Sequence, residues 1–280
     1  MRHGKHWLAI CAALGMILGF ASRVSADATQ LRMATTTSTE NTGLLDYLAP
    51  RLQKDTAIEL RWVAVGTGKA LELGKNCDVD VLLVHAPAAE KKYVEAGYGV
   101  DRRQVMYNDF ILVGPAGDPA GVSGLSVAAA LKRIAARKAL FVSRGDDSGT
   151  HKTELELWKI SGVEGLDKEA WYIQTGQGML ATIRVAAERN GYTLSDRGTY
   201  ITYEHGHNGK PPLVILVEGD PSLFNMYSVI AVNPGRCPKT SYELARRFSD
   251  WLVSPAIQRF IGDFKVMGKP LFTPCADLTD

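Results

Sequence analysis

The most informative stretch of this chain is Phe141-Val142-Ser143-Arg144-Gly145-Asp146-Asp147-Ser148-Gly149-Thr150-His151. Residues 139–143 predict a short buried strand, and residues 153–160 predict a helix. A glycine-rich turn lets successive N–H groups point into one space, and the helix that follows adds unpaired N–H groups and the positive end of its dipole. We therefore predict an oxyanion site in which Arg144 supplies the charge and Asp146 or Asp147 holds that arginine in place. The alternative is an ordinary strand–loop–helix connection with a surface Arg–Asp pair.

A second hydroxyl-rich turn, residues 35–39, follows the first predicted strand and comprises four threonines and Ser38. Thr37 and Glu40 have the spacing of a capping box, which predicts that Thr37 begins the next helix. A helix cap uses one hydroxyl, whereas residues 35–39 carry five. We predict that this turn also faces the anion.

A third turn, residues 66–68, joins a predicted strand to a helix and carries the hydroxyl of Thr67. A nucleotide-binding P-loop is excluded here, because Val63 and Ala70 occupy positions where that motif requires glycine and serine or threonine. Residues 174–178 form a weaker fourth candidate, and the contributions of Gly178 and residues 195–199 stay open.

Strands and helices alternate along the chain, which predicts an α/β fold with mostly parallel sheets. Two similar apolar segments, residues 106–113 and 226–232, are interpreted as crossovers between two lobes. One lobe would comprise residues 27–110 plus 230–280, and the other residues 111–229. Ligands bind such sheets at the carboxyl ends of the strands, so all these turns are expected to meet in the cleft between the lobes.

The N-terminus has the pattern of a signal peptide, with basic residues, an apolar run from Trp7 to Phe20 and a small-residue cleavage site after Ala26. We expect an exported, periplasmic protein. Removal of residues 1–26 takes away three of the 32 basic residues and none of the 30 acidic ones. The nearly neutral remainder gives no reason to expect nucleic acid or an anionic membrane as a partner.

Three cysteines remain after cleavage, and an oxidising compartment allows one pair to form a disulfide. Cys237 follows a Pro-Gly turn and Cys275 lies in the C-terminal tail, so we predict that these two are paired. Cys77 is then expected to be a buried thiol. Their spacing does not indicate a metal site.

Five segments of the chain together resemble the tungstate-binding proteins of bacterial tungstate ABC importers: residues 35–45, 65–71, 81–88, 106–110 and 143–151. The resemblance covers nearly the whole mature chain. Arg144 with Ser148-Gly149-Thr150 is also similar to the anion loop of phosphate-binding proteins, and Ser38 and Thr67 resemble the serine positions of molybdate-binding proteins. Cys77 stands where glycine is expected in the family.

The resemblance implies a two-lobe, type II periplasmic binding protein that closes on one tetrahedral oxyanion and delivers it to a membrane permease. The ligand would be tungstate or molybdate, held by hydrogen bonds without a metal site or a cofactor, and the protein would be a monomer. The expected ligand-binding residues are Thr37, Ser38, Thr67, Arg144, Ser148, Gly149 and Thr150. Selectivity for tungstate rests on the resemblance, because molybdate, sulfate and phosphate share the tetrahedral shape.

The main rival is a secreted hydrolase, in which a histidine acts as a base or as a metal ligand; the candidates are His85, His151, His205 and His207. Residues 145–149 do not match the Gly-x-Ser-x-Gly nucleophile elbow. A purely structural or adhesive module is a third class, and it predicts no response to a small ligand. We expect a binding protein and no enzyme.

Overall fold

The computed structural model describes residues 29–276 and confirms the predicted α/β fold. The strands are β1 (Thr29–Thr36), β2 (Ile58–Val65), β3 (Val81–Val84), β4 (Gly99–Pro115), β5 (Phe141–Ser143), β6 (Tyr172–Gln174), β7 (Thr193–Asp196), β8 (Leu213–Val217), β9 (Phe224–Val232), β10 (Lys265–Val266), β11 (Lys269–Pro270) and β12 (Thr273–Pro274). The helices are α1 (Thr37–Glu40), α2 (Leu44–Thr56), α3 (Thr67–Lys75), α4 (Pro87–Glu95), α5 (Val127–Ala136), α6 (Gly149–Ile160), α7 (Met179–Glu188), α8 (Arg197–Gly206), α9 (Tyr242–Leu252) and α10 (Pro255–Gly262). The sheets are mixed rather than mostly parallel, because β9 is antiparallel to β3 and every strand paired with β4 is antiparallel to it. The predicted signal peptide lies outside the described residues.

Strand β4 connects two sheets because its two halves pair with different strands. Its first half lies between β9 and β12 in a sheet of order β12-β4-β9-β3-β1-β2. Its second half pairs with β7 and with β8. A parallel pair, β5 and β6, adjoins β7 through a bridge between Phe141 and Tyr192.

Each sheet is covered on both faces, as fully apolar strands require. In β3, Val81 and Leu83 face a core formed with α2, α9 and α10, whereas Leu82 and Val84 face a second core with α3 and α4. The second half of β4 alternates in the same way between a core with α5 and α6 and a core with α7 and α8. Two separate pairs of cores give the two lobes.

The register of the sheets places the carboxyl ends of the parallel strands near the middle of β4. In the first sheet β9 runs antiparallel to β3, with Val84 opposite Ser228, so β3 ends beside the middle of β9. Asn108 of β4 lies opposite Asn225, nearer the start of β9. In the second sheet β7 ends at Asp196, opposite Phe110. The two edges therefore face each other across residues 108–110.

The limits of the two lobes remain predictions, but the strand pairing of β9 favours moving one of them. The whole of β9 pairs with β3 and with the first half of β4. We therefore propose that the second lobe ends near Leu223, ahead of the predicted limit at residue 229. The crossover is then the segment between β8 and β9.

Besides the short strands β6, β10, β11 and β12, two adjoining elements were not predicted, namely β7 and α8. Asp196 caps α8 by accepting hydrogen bonds from the main-chain N–H and the hydroxyl of Thr199, each at 2.8 Å. Residues 193–206 are polar and carry little apolar periodicity, and tertiary packing of Tyr200, Ile201 and Tyr203 stabilises the helix. Within residues 29–276, no helix has both the length and the apolar character that crossing a membrane requires.

The predicted disulfide between Cys237 and Cys275 is wrong, because Cys77 is bonded to Cys237 and Cys275 is a buried free thiol. The main-chain N–H of Cys275 bonds to Val105, whereas Cys237 lies beyond Asn233, which bonds to Tyr98. Tyr98 and Val105 are seven residues apart along the chain, which is roughly 20 Å in an extended strand. Cys237 and Cys275 are therefore too far apart for a disulfide. Sequence order did not reveal that α3 ends beside the loop after β9.

Cys77 also has a backbone φ of +63° at the end of α3. This left-handed conformation is the one that favours glycine after a helix. It explains why glycine is the expected residue here, and the disulfide offsets the conformational cost of the cysteine.

We expect the double variant Cys77→Ser/Cys237→Ser to lose about 2–5 kcal/mol of unfolding free energy, because the disulfide closes a long loop of the unfolded chain. The two cysteines are 160 residues apart. Urea denaturation with and without dithiothreitol measures the loss, and the reductant should leave the double variant unchanged. A peptide map in which Cys237 is joined to Cys275 would contradict the assignment.

Candidate functional site

The first-lobe part of the site is the edge where β1, β2 and β3 end. Thr36 lies opposite Val65 and Thr35 lies opposite Leu83 in the parallel register. The three segments that follow these strands are consequently neighbours: residues 36–38, residues 66–67 and His85. The predicted Thr37, Ser38 and Thr67 all belong to this edge.

The capping box predicted from Thr37 is wrong, because Thr36 is the N-cap of α1. The Thr36 hydroxyl oxygen accepts the main-chain N–H of Thr39 at 3.2 Å. Thr37 and Ser38 instead begin the helix and are exposed. The second helix, α2, starts at Leu44 after Gly43, whose φ of +77° reverses the chain. With the cap at Thr36, Ser38 is the second residue of the exposed first turn.

Thr67 is the first residue of α3, and its neighbours Gly66 and Gly68 leave space above the turn. A Cβ atom added to either glycine would meet nothing within 4 Å, and neither has a positive φ. The same holds for Gly149 and Gly178 at the starts of α6 and α7. Other surface glycines share this property, but these four lie at helix starts, where exposed N–H groups are open to close approach by a ligand.

The second-lobe part of the site is the loop between β5 and α6, with Arg144 held at its base. Both Nε and Nη2 of Arg144 donate to one oxygen of Asp146, and Nη1 lies 3.4 Å from the Thr150 hydroxyl. The other oxygen of Asp146 accepts the N–H of Ser148 at 3.3 Å. Desolvation raises the pKa of Asp146, but hydrogen bonds from Ser148 and Arg144 outweigh it and hold that pKa below its usual value. Of the two predicted aspartates, Asp146 is therefore the one that holds Arg144.

Helix α6 begins four residues earlier than predicted, with Ser148 as its N-cap. The Ser148 hydroxyl accepts the N–H of His151 at 3.3 Å, and the imidazole Nδ1 of His151 accepts the N–H of Asp147 at 3.1 Å. Gly149 and Thr150 thus form the first turn of the helix. The imidazole of His151 bonds to the main chain, which is not the nucleophile–base pair that the hydrolase hypothesis requires.

The turn after β6 is bonded directly to the Arg144 loop. The N–H of Gly176 donates to the Arg144 carbonyl at 2.8 Å, and the N–H of Thr175 donates to the Ser143 carbonyl at 3.0 Å. Gly145 has a φ of +61°, and a Cβ there would lie 2.6 Å from the Gln174 side chain. Glycine is required at this position, so the two turns pack as one unit.

A buried carboxylate supports this unit, and sequence reasoning missed it. Glu154 on α6 is 3% exposed and accepts hydrogen bonds from Ser143 at 2.7 Å, Tyr172 at 2.7 Å and Trp158 at 3.2 Å. The Ser143 hydroxyl in turn accepts the N–H of Gly145 at 3.2 Å, which fixes the start of the loop. A glutamate on the helix face that also carries Leu157 and Trp158 was the available signal, because that face is apolar.

The pKa of Glu154 is raised to about 7, chiefly by burial, which disfavours the charged form. The folded protein therefore binds a proton that the unfolded chain releases near pH 4.5. The contribution of Glu154 to stability is present below that pH and decreases as the pH rises towards 7.

We expect the difference in unfolding free energy between wild type and Glu154→Gln to fall by roughly 3 kcal/mol between pH 4.5 and 7, since glutamine does not titrate. Chemical denaturation across this pH range measures the difference. Glu156→Gln is the matched control, because Glu156 is exposed on the same helix. A pH-independent difference for Glu154→Gln would show that its pKa is ordinary.

The remaining histidines of the hydrolase hypothesis are dispersed. His85 joins the first-lobe edge, where its ring is bonded to Thr36, Ser38 and Asn225. His205 is exposed on α8, and His207 bonds to the Tyr203 carbonyl at 2.8 Å. Across residues 29–276, no group of three or more His, Cys, Asp and Glu side chains is arranged to hold a metal ion.

Comparison with known proteins supports the assignment of the fold. The family model described as the PBP superfamily domain matches residues 23–256. A tungstate-binding protein, TupA, of Campylobacter jejuni is 51% identical over 236 residues, which cover 84% of this chain and 87% of the relative.

Two solved structures are also similar. The tungstate-binding protein TupA from Desulfovibrio alaskensis G20 has a TM-score of 0.87 and 67% identity, covering 89% of this chain and all of that one. The tungstate ABC transporter protein from Geobacter sulfurreducens has a TM-score of 0.69 and 47% identity, covering 84% of this chain and 98% of that one. The chain therefore belongs to the PBP superfamily and, within it, to the family of these tungstate-binding relatives.

Proposed function

We propose that this protein is the solute-binding component of an ABC importer and that it captures one tetrahedral oxyanion, tungstate, between its lobes. The observation that carries the proposal is the Arg144 loop: a guanidinium fixed by Asp146 lies beside Thr150 at the start of α6, on the edge that faces the first-lobe turns. The relatives named above supply the identity of the anion.

The proposed ligand-binding residues are Thr37, Ser38 and Thr67 from the first lobe, and Arg144, Ser148, Gly149 and Thr150 from the second. Hydroxyls and main-chain N–H groups would replace the hydration shell of the anion, while Arg144 offsets its charge. Because each lobe supplies only part of these donors, the anion binds the closed arrangement best and stabilises it.

The carboxylates near Arg144 favour an anion that carries no proton. A hydrogen phosphate needs an acceptor for its proton, yet Oδ2 of Asp146 already accepts two hydrogen bonds from Arg144 and Oδ1 accepts the N–H of Ser148, which leaves at most one lone pair on this carboxylate. Asp147 has an 87% exposed side chain and lies 3.5 Å from Lys152. Tungstate and molybdate, both fully deprotonated dianions, fit this donor-rich arrangement better than hydrogen phosphate does.

The protein acts in the periplasm after export, as a monomer, and presents the anion to a membrane permease without a cofactor or a catalytic step. We propose transport of molybdate or phosphate as the alternative within the same fold.

We expect calorimetric titration of residues 27–280, stripped of ligand, to show tight one-to-one binding of tungstate. Competition with molybdate, sulfate and phosphate ranks the affinities of the other anions. Phosphate should bind most weakly, because the site offers few acceptors for its proton. Preferential binding of phosphate would assign the protein to a phosphate transporter instead. Binding of none of these anions, or hydrolysis of a generic phosphoester, would refute the proposal.

We expect Arg144→Ala to weaken tungstate binding by at least about 30-fold, because loss of one partner of a desolvated ion pair costs roughly 2 kcal/mol or more. The melting temperature should change little, since Arg144 pairs locally with Asp146. Lys152→Ala is the matched control, because it removes an exposed charge from the same helix. An affinity of Arg144→Ala within a few-fold of wild type would show that Arg144 does not offset the charge of the bound anion.

A further inference from the structure

His85 occupies a rigid position at the carboxyl end of β3. The next residue, Ala86, donates its N–H to the carboxylate of Glu90 at 2.6 Å. Glu90 also accepts from Nε of Arg102 at 2.9 Å, and both side chains of this pair are buried. The backbone that carries the imidazole is therefore fixed by an ion pair within the first lobe.

The hydrogen bonds of Asn225 determine which ring nitrogen of His85 carries the proton. The amide nitrogen of Asn225 donates to the side-chain oxygen of Asn108 at 2.8 Å, which leaves its own oxygen 2.9 Å from Nδ1 of His85. An amide oxygen only accepts, so Nδ1 is protonated. Burial lowers the pKa of His85, which keeps the ring neutral and leaves Nε2 as an acceptor with one lone pair.

Two hydroxyls lie within reach of that lone pair, Thr36 at 3.0 Å and Ser38 at 2.9 Å. The oxygen of Thr36 has two lone pairs: one accepts the N–H of Thr39 at 3.2 Å, and the Thr39 hydroxyl lies 2.7 Å away. If Thr39 donates to the second lone pair, the hydrogen of Thr36 points to His85. The hydroxyl oxygens of Ser38 and Thr36 are 3.0 Å apart, but both lone pairs of Thr36 are then used and Nε2 of His85 is taken. The hydrogen of Ser38 therefore has no acceptor left among these groups.

The same direction of donation closes into a cycle of hydrogen bonds. Tyr227, which is 1% exposed and stacks on His85, is hydrogen-bonded to Thr39, and its oxygen lies 3.4 Å from the amide nitrogens of Asn108 and Asn225. Because the two amide nitrogens only donate, the hydrogen of Tyr227 goes to Thr39, and the hydrogen of Thr39 then goes to Thr36. We call this cycle the His85 ring, and its members are His85, Asn225, Asn108, Tyr227, Thr39 and Thr36.

We propose that His85 is a positioning residue for the oxyanion: its Nε2 accepts the hydrogen of Thr36, so that the hydroxyl hydrogen of Ser38 is free to bond an oxygen of the anion. This inference rests on the proposed function, which places Ser38 at the ligand. Asn108 and Asn225 belong to β4 and β9, so the ring also fixes Ser38 relative to the strand that both lobes share.

Two variants of His85 separate this role from packing, because each can replace the hydrogen bond of only one ring nitrogen. In His85→Gln the amide oxygen can replace Nε2 and accept from Thr36. In His85→Asn the amide can replace Nδ1 and bond to Asn225, but the acceptor for Thr36 is lost. We expect His85→Gln to bind tungstate within about 3-fold of wild type and His85→Asn to bind about 10-fold more weakly, the value of one hydrogen bond. Melting temperatures establish that both variants are folded.

Nitrogen-15 NMR of histidine-labelled protein without an oxyanion tests the ring independently of affinity. We expect the His85 resonances to show a protonated Nδ1 and an unprotonated Nε2 at neutral pH. The opposite tautomer, or an imidazolium, would overturn the inference. Equal affinity of His85→Asn and wild type, or equal losses in both variants, would overturn it as well while leaving the proposed function intact. If wild type binds no oxyanion, the proposed function fails and this inference fails with it.

Discussion

The architecture depends on one strand, β4, which carries hydrogen bonds from both sheets. Because its first half pairs with β9 and its second half with β7 and β8, the carboxyl edges of the two sheets must meet near Asn108 and Phe110. Parallel strands place their following turns on the same edge, so the turns of both lobes face one region. The site is thus a consequence of strand order and register.

The charges of the site are held by their immediate neighbours. Arg144 is held by Asp146, which is in turn bonded to Ser148, and the buried Glu154 fixes the strand end that precedes them. A pre-arranged charge costs little further reorganisation when an anion arrives. The negative charge of Asp146 is offset by Arg144, and burial favours the neutral form of Glu154, so neither group opposes a dianion at the loop.

Sequence reasoning identified the groups whose signal is local. The loop from Arg144 to Thr150, the helix start at Thr67 and the apolar strand β3 depend on residue types within a few positions of each other. It missed what depends on distant residues: the pairing of Cys77 with Cys237 joins positions 160 residues apart, and the contact between His85 and Asn225 spans 140. Thr36 replaced Thr37 as the cap because α1 begins directly after β1, with no intervening turn.

The sequence by itself determined the alternation of strands and helices, the glycine and hydroxyl turns and the presence of Arg144, since backbone propensity and side-chain chemistry are properties of short segments. Only the tertiary structure decided which cysteines meet, which aspartate holds Arg144, and that His85, Thr36 and Ser38 form one hydrogen-bonded group. These outcomes depend on register and on burial, and both are fixed only when the whole chain packs around β4.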